Sequence, residues 1–203
     1  MGGIDRMIAS ALSSEIKKEL DLEILKKTER ELFLEQGMSI KLSIEHFHKF
    51  SSVLRKNSSM DVKKFEKDCI GKILKVKKKD DKFLVTIIDS ELRDLILELF
   101  GEVETRKIIS SLLENEYTIP QILKESKVPK TSGYRKIENL ILHGLIIESG
   151  KVLSESKKIS KLQCVFQEIK LDIKKDKIGV IGVVNKKMFE KSTSMKVIFE
   201  LLE

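Results

Sequence analysis

The chain has 203 residues, of which 35% are charged and 41% hydrophobic, with a formal net charge of +7 at pH 7. This composition predicts a helix-rich globular protein of one large or two small domains and argues against disordered and collagen-like classes. The positive net charge favours an anionic partner, although both charge signs are abundant and basic charge alone is weak evidence.

Cellular context is indicated by two further features. No apolar run approaches the ~18 residues that a membrane span needs, and no signal-peptide pattern opens the chain, so we expect a cytoplasmic protein. The two cysteines, Cys69 and Cys164, lie far apart in sequence. We expect reduced, buried thiols, with a disulfide or a redox switch as the alternatives.

The first 76 residues have the spacing of four amphipathic helices. Gly37 is placed to end the second, Ser39 to cap a long third that stops near Asn57, and Asp61 to cap the fourth. The lysine-rich run 75–82 predicts a linker or a solvated helix end. We therefore expect residues 1–80 to form an N-terminal helical domain for dimerisation or ligand sensing.

The next part of the chain changes character. Residues 83–88, FLVTII, predict a short strand, after which Asp89 or Ser90 caps a helix that Gly101 ends. The following segment, ETRKIISSLLEN, is typical of another amphipathic helix. Its apolar residues should form the core of the domain that the following segment completes: Ile108, Ile109, Leu112 and Leu113.

Residues 118–161 have the pattern of a helix-turn-helix followed by a basic hairpin. Thr118 is a candidate N-cap with Pro120 in the first helical turn, and the turn KVP separates this short helix from KTSGYRKIENLILHG. Gly144 sits where a C-terminal cap belongs. Two β-rich runs around a lysine-bearing loop follow, and together these are the parts of a winged helix.

The remaining residues predict a β-hairpin, from QEIKLDI and IGVIGVV around the KKDK turn, and a last amphipathic helix over 185–203. The expected fold is therefore α+β, mainly α: an N-terminal helical bundle plus a winged helix-turn-helix with a C-terminal β-hairpin and helix. The predicted domains are residues 1–80, residues 83–173 for DNA binding, and residues 174–203 for the C-terminal strand and helix.

A helix that reads the major groove needs hydrogen-bonding side chains near its N-terminus, where the bases are closest. Wing lysines usually hold phosphates or the minor groove. The candidate DNA-binding residues are Lys130, Thr131, Ser132, Tyr134, Arg135, Lys136, Lys157, Lys158 and Lys161. They predict sequence-specific binding of double-stranded DNA. The alternatives are ordinary solvated lysines, or a winged helix that contacts another protein without specific DNA binding.

Gly133 is unusual inside a helix, where glycine costs about 1 kcal/mol against alanine. It could let the backbone approach DNA closely, it could relieve packing against the preceding helix, or the helix could begin after it. The sequence leaves the three explanations open.

Residues 89–152 resemble a known family. An acidic helix start, a TRKII helix, a short I-x-x-x-L helix, the segment TSGYRKI and the entry GLI are similar to the ArsR-like winged helix-turn-helix transcriptional regulators of ammonia-oxidising archaea. The likeness covers roughly residues 85–173. It implies sequence-specific DNA binding, usually as a homodimer, and regulation of transcription. No cysteine lies between Glu104 and Leu123, so the metalloid sensing of the arsenic-type members does not carry over.

Other constellations are weaker. His46 and His48 point about 200° apart on a helix, so they predict surface or half-buried histidines rather than one metal site. His143 precedes a cap glycine, where a cationic ring suits a helix C-terminus. No P-loop, GxGxxG, GxSxG or HExxH pattern occurs, and we expect neither an enzyme nor a cofactor.

Phe47, Phe50 and Phe65 predict an aromatic core for the N-terminal bundle, or alternatively a pocket or a dimer face. A regulator needs something that biases its DNA affinity. A small-molecule effector of unidentified chemistry is therefore a candidate partner beside DNA and a second copy of the chain.

Overall fold

The protein is α+β in the computed structural model, which describes residues 3–154, 157–175 and 177–199. The side chains of residues 154, 177, 185, 187 and 199 lie outside the described set, as does Glu155 of the predicted wing loop. None of the described helices is both long and apolar enough to cross a membrane.

Five helices form the N-terminal part: α1 (Gly3–Glu19), α2 (Leu22–Gln36), α3 (Ile40–Ser43), α4 (Phe47–Asn57) and α5 (Val62–Ile73). The predicted caps are confirmed. Gly37 ends α2 in the left-handed region at φ 61°, Ser39 accepts from the backbone N–H of Leu42, and Asp61 accepts from that of Lys64. Phe47 and Phe50 are buried and stack with ring centroids 5.5 Å apart, so they form core rather than a pocket.

The predicted continuous third helix is wrong. A 3₁₀ turn, Ile44–His46, separates α3 from α4, and His46 has the non-helical torsions φ −132° and ψ 53°. The backbone N–H of Phe47 donates to the Thr193 hydroxyl at 3.1 Å. The backbone N–H at the start of α4 is thus bound by a residue 146 positions away in sequence. No local sequence pattern could predict this hydrogen bond.

The main sheet is antiparallel and has four strands in the order β1-β2-β6-β5. Its strands are β1 (Leu74–Lys79), β2 (Lys82–Ile87), β5 (Glu168–Lys174) and β6 (Lys177–Asn185). The lysine-rich run 75–82, predicted as a linker or a solvated helix end, is neither: it forms most of β1, the turn after it and the first residue of β2. Leu74 pairs with Ile87 and Lys79 with Lys82, which makes β1 and β2 a tight hairpin. The sheet crosses both of the predicted domain boundaries.

The segment between β2 and β5 supplies four helices and a hairpin. These are α6 (Ser90–Gly101), α7 (Val103–Leu112), α8 (Ile119–Ser126), α9 (Lys130–Leu142), β3 (Ile146–Ser154) and β4 (Lys157–Cys164). Asp89 caps α6 by accepting from the backbone N–H of Leu92, which confirms one of the two predicted caps. Tyr117 bridges to Leu162 of β4, so the α7–α8 connection is tied to the hairpin.

The single C-terminal helix predicted for residues 185–203 is also wrong. Two short helices, α10 (Lys186–Glu190) and α11 (Met195–Phe199), occupy the described part of the tail. Ser192, Thr193 and Ser194 separate them because these residues bind the buried carboxylate of Asp5. The backbone N–H groups of Thr193 and Ser194 donate at 2.7 and 3.0 Å, and all three hydroxyls also donate. This contact anchors α1 to the C-terminal region.

Candidate nucleic-acid interface

Helices α8 and α9 meet at a tight turn. Thr118 is the N-cap of α8, as predicted, and Gln121 Oε1 accepts from the Thr118 backbone N–H at 2.9 Å. Lys127 ends α8 in the left-handed region at φ 54°. Pro129 is the N-cap of α9, so this helix begins at Lys130, ahead of Gly133.

Gly133 is buried where α9 crosses α8. A Cβ at this position would collide with Leu123 Cδ2 and lie 3.2 Å from Val128 Cγ1. Of the three explanations left open by the sequence, close packing against α8 is therefore the one that the structure supports. The missing side chain sets the distance between the two helices, and the late helix start is excluded.

The N-terminal half of α9 presents polar side chains to solvent. Lys130, Thr131 and Arg135 are exposed, and Tyr134 is 42% exposed. The opposite side of the helix, formed by Gly133, Ile137 and Leu140, is buried. Helical spacing thus separates a packing stripe from a polar stripe. We call Lys130, Thr131, Tyr134 and Arg135 the α9 polar face.

Ser132 and Lys136 stand apart from the α9 polar face. Ser132 is half-buried and its hydroxyl donates to Pro129 O at 3.4 Å. The Lys136 side chain is only 15% exposed, and its ammonium is paired with Glu102 and lies 3.8 Å from Glu104. Lys136 therefore links α9 to the junction of α6 and α7.

The hydrogen bond from Lys136 also lowers the pKa of Glu102, with a smaller effect from the Thr105 hydroxyl. Thr105 Oγ1 donates to Glu102 Oε2 at 2.9 Å. The carboxylate therefore stays ionised over the whole neutral range and holds the Lys136 ammonium in place. This ion pair joins α9 to the start of α7.

The three predicted wing lysines do not share one face. Lys158 and Lys157 pair across the hairpin with Leu153 and Ser154, and Lys161 with Gly150. Because successive side chains of a strand alternate, Lys158 projects from one face, and Lys157 and Lys161 from the other. Lys157 and Lys158 are exposed, and Lys161 is half-buried at the base of the hairpin.

A groove of about 740 Å³ runs between α9 and the hairpin. Tyr134 lines it from the helix, and Ile159 and Ser160 from β4, while Pro120 of α8 closes one side. Tyr134 therefore faces the hairpin, whereas Arg135 lines a separate shallow surface beside Lys136 and Glu102. Of the α9 polar face, Tyr134 thus borders the groove at the hairpin, and Arg135 borders the separate surface.

Arg6 of α1 also borders this groove. Its guanidinium donates to both oxygens of the Glu45 carboxylate, from Nε at 3.1 and 3.2 Å and from Nη2 to Oε2 at 2.8 Å, and Nη1 donates to Ile141 O of α9 at 3.5 Å. The N-terminal helices are thus in contact with the end of α9.

The C-terminal half of α9 differs from its start. Glu138 and Asn139 are exposed, and Leu142 is 70% exposed. The carboxylate of Glu138 and the exposed apolar side chain of Leu142 are unfavourable next to a polyanion. Only the first two turns of α9 therefore have side chains that could bind a polyanion. The charge is therefore concentrated at the helix start and on the hairpin.

His46 is half-buried and His48 is exposed, as the sequence predicted. The rings of His46 and His48 are perpendicular with centroids 6.5 Å apart, and the described residues contain no cluster of three or more potential metal ligands. His143 is the C-cap of α9, followed by Gly144 at φ 72° as predicted. Cys69 and Cys164 are buried free thiols, and burial raises the pKa of each to about 12.

Sequence reasoning missed the acidic partners Glu102 and Glu104 of Lys136. The acids were visible ahead of the TRKII segment, but Lys136 follows Glu102 by 34 residues. The involvement of Arg6 was also missed, because α1 reaches α9 only through the tertiary fold.

Comparisons with known proteins give no relative: no protein-family model matches the chain, and no curated protein and no solved structure is detectably similar to it.

Proposed function

We propose that the protein is a sequence-specific DNA-binding regulator of transcription that acts as a homodimer. In this proposal α7, α8, α9, β3 and β4 constitute a winged helix-turn-helix, with α9 as the recognition helix in the major groove and the β3–β4 hairpin as the wing. The order of helices, the turn at Lys127–Pro129 and the Tyr117–Leu162 bridge to the hairpin support this assignment.

One observation carries the proposal: the α9 polar face. The helix rests on its buried stripe and turns Lys130, Thr131 and Arg135 outward from its first two turns. The N-terminal turns of a recognition helix are the ones that approach base edges. Arg135 is the residue suited to bidentate contact with guanine, and Lys130 and Thr131 suit phosphates.

The structure suggests different roles for the other candidates. Lys136, paired with Glu102 and Glu104, would position α9 rather than contact bases. Lys157 and Lys158, exposed on opposite faces of the wing, would follow the phosphate backbone and supply affinity without specificity. Lys161, at the wing base, would contribute less than either.

The test is duplex binding followed by fluorescence anisotropy at several salt concentrations. We expect affinity to fall steeply with salt, with a slope of log K against log salt of about −0.9 for each phosphate contact. Arg135→Ala should weaken binding to a preferred site by roughly 10- to 100-fold, as loss of a base contact does. Lys67→Ala, which removes an exposed lysine of α5, is the matched control and should leave binding unchanged.

A second candidate function is a winged helix that binds another protein. Its support is the exposed apolar side chains of the hairpin: Val152 and Ile159 pair across the strands on one face, and Leu153, on the other face, is 70% exposed. Duplex binding that is weak, independent of sequence and unaffected by Arg135→Ala would favour this candidate over DNA recognition.

A further inference from the structure

Strand β5 is an edge of the main sheet, and it is exposed. It pairs on one side with β6, and no described strand pairs with its other side. All of its side chains are exposed except that of Ile169, which is half-buried. Unpaired backbone N–H and C=O groups on such an edge are a template for another strand.

The two faces of β5 differ in chemistry. Ile169, Leu171 and Ile173 alternate on one face, where Leu171 is 47% and Ile173 is 73% exposed. The other face carries only charged side chains of alternating sign, with ion pairs Glu168–Lys170 at 3.1 Å and Asp172–Lys174 at 2.9 Å. An edge strand with such an apolar face can pair with another strand that covers Leu171 and Ile173.

The sequence of β5, EIKLDIK, is complementary to itself when it is reversed about Leu171. In an antiparallel pair of two copies with Leu171 on the two-fold axis, Glu168 lies opposite Lys174 of the second copy, and Lys170 opposite its Asp172. On the apolar face Ile169 lies opposite the second copy's Ile173, and Leu171 opposite Leu171. Every charged pair is thus attractive and every apolar side chain meets another.

The second edge of the same sheet has the opposite character. Strand β1, LKVKKK, carries four lysines and no acid, so no register of two β1 strands forms a cross-strand pair of opposite charge. Lysines on an edge strand oppose edge-to-edge pairing. The two edges of one sheet therefore differ, one built against self-association and the other compatible with it.

We infer that two copies of the chain associate through β5, antiparallel with Leu171 on the two-fold axis, to form one continuous eight-stranded sheet. The second copy's Ile173 would then lie beside Ile169. Ile169 and Leu171 line a shallow, mainly apolar depression of about 260 Å³ against α6 and α7, to which Arg106 and Ser110 add polar groups. An isologous interface of this kind is typical of homodimers. The inference gives the dimer of the proposed function its interface, and it is tested without DNA.

The register is tested by cysteine cross-linking of the full-length protein. Leu171→Cys places two thiols directly opposite each other across the two-fold axis, and mild oxidation should convert most of the protein to a covalent dimer. Ile173→Cys is the matched control. Its two thiols are offset by four residues, about 13 Å along the strand, and should not join. The native thiols Cys69 and Cys164 are buried and do not compete.

The charge pattern is tested by sedimentation equilibrium, with circular dichroism to verify folding. Asp172→Lys turns two symmetric attractive pairs into repulsive ones and should weaken dimerisation by about tenfold or more. Adding Lys170→Asp to this variant exchanges the two charges, restores both pairs and should restore the dimer. Lys77→Asp on β1 reverses a charge on the other edge and should leave the dimer unchanged.

Each outcome decides the inference. A dimer that cross-links at residue 171 and not at 173, and that the double exchange rescues, supports it. A wild-type protein that stays at the monomer mass of 23.3 kDa overturns it. A dimer whose dissociation constant is unchanged by Asp172→Lys also overturns it. DNA binding by a protein that is not joined through β5 would leave the proposed function standing and remove only this interface.

Discussion

The backbones of Gly3 and Gly144 are in direct contact, and this contact joins α1 to the end of α9. Gly144 has φ 72°, and a Cβ there would lie 2.5 Å from Gly3 O and 2.6 Å from Met7 N. Gly144→Ala therefore combines backbone strain with a clash against main-chain atoms. We expect a loss of about 2–4 kcal/mol in the free energy of unfolding, measured by urea denaturation.

The control for this prediction is Gly71→Ala. Gly71 is an exposed residue inside α5, and a Cβ there meets nothing within 4 Å. The same substitution should stabilise this helix by up to about 1 kcal/mol. A neutral Gly144→Ala variant would show that α1 and the end of α9 are not held at this distance.

Gly133 and Leu123 should be energetically coupled because they share the crossing of α8 and α9. Gly133→Ala alone forces Leu123 to move, and we expect it to destabilise the protein by roughly 1–3 kcal/mol. Leu123→Ala alone leaves a cavity. In the double variant the new methyl group occupies that space, so the combined loss should be smaller than the sum of the two. Simple additivity in this double-mutant cycle would contradict the packing explanation of Gly133.

Glu66 is a buried acid of α5, 1% exposed, and among the described residues its Oε1 has no hydrogen-bond partner. Burial raises the pKa of this carboxyl, an effect partly offset by a hydrogen bond from Ser51. Because the folded pKa lies above the unfolded one, ionisation of Glu66 lowers stability as the pH rises from about 4.3 through the folded value.

Glu66→Gln should therefore raise the urea midpoint at about pH 7.5, by on the order of 1 kcal/mol in unfolding free energy. The gain should shrink as the pH falls toward the unfolded pKa of about 4.3, because lower pH favours the protonated carboxyl that the raised folded pKa already favours. Asp68→Asn, at an exposed acid of the same helix, should show no such pH-dependent gain. An unfolding free energy of Glu66→Gln equal to that of the wild type at about pH 7.5 would show that the buried Glu66 charge does not destabilise the protein.

Lys136 and Lys158 should behave differently in DNA binding, although both were predicted as DNA-binding residues. Lys158→Ala removes an exposed wing lysine and should reduce the salt slope of binding by about 1. Lys136→Ala breaks the ion pair with Glu102 and should leave that slope nearly unchanged while it lowers stability by less than about 1 kcal/mol. Anisotropy titrations at several salt concentrations distinguish the two, and equal slope changes would show that Lys136 also contacts phosphate.

The elements that the sequence predicted well are those with local physical causes. Gly37, Ser39, Asp61 and Gly144 were each identified from backbone conformation or helix capping, and each occupies that place in the structure. The β5–β6 hairpin was equally visible, because alternating side chains flank a polar turn.

One error concerns a local hairpin: the lysine-rich run forms β1 because β2, just after it in the chain, pairs with it along its whole length, against the low strand propensity of lysine. The other errors arose where a distant residue decides local structure. Thr193 interrupts the third helix, and Asp5 organises the break in the C-terminal one. The pairing of Lys136 with Glu102 also depends on a residue far away in sequence. The sequence alone therefore could not distinguish the exposed Lys130 from Lys136, whose ammonium is in an ion pair.

Selection of binding sites from random duplex DNA, at near-physiological salt, tests the central claim most directly. We expect enrichment of one motif arranged as an inverted repeat, since a two-fold dimer presents two copies of α9. Enrichment should be lost in Arg135→Ala and retained in the Lys67→Ala control. A wild-type protein that enriches no motif, and binds only weakly and without sequence preference, would contradict the account.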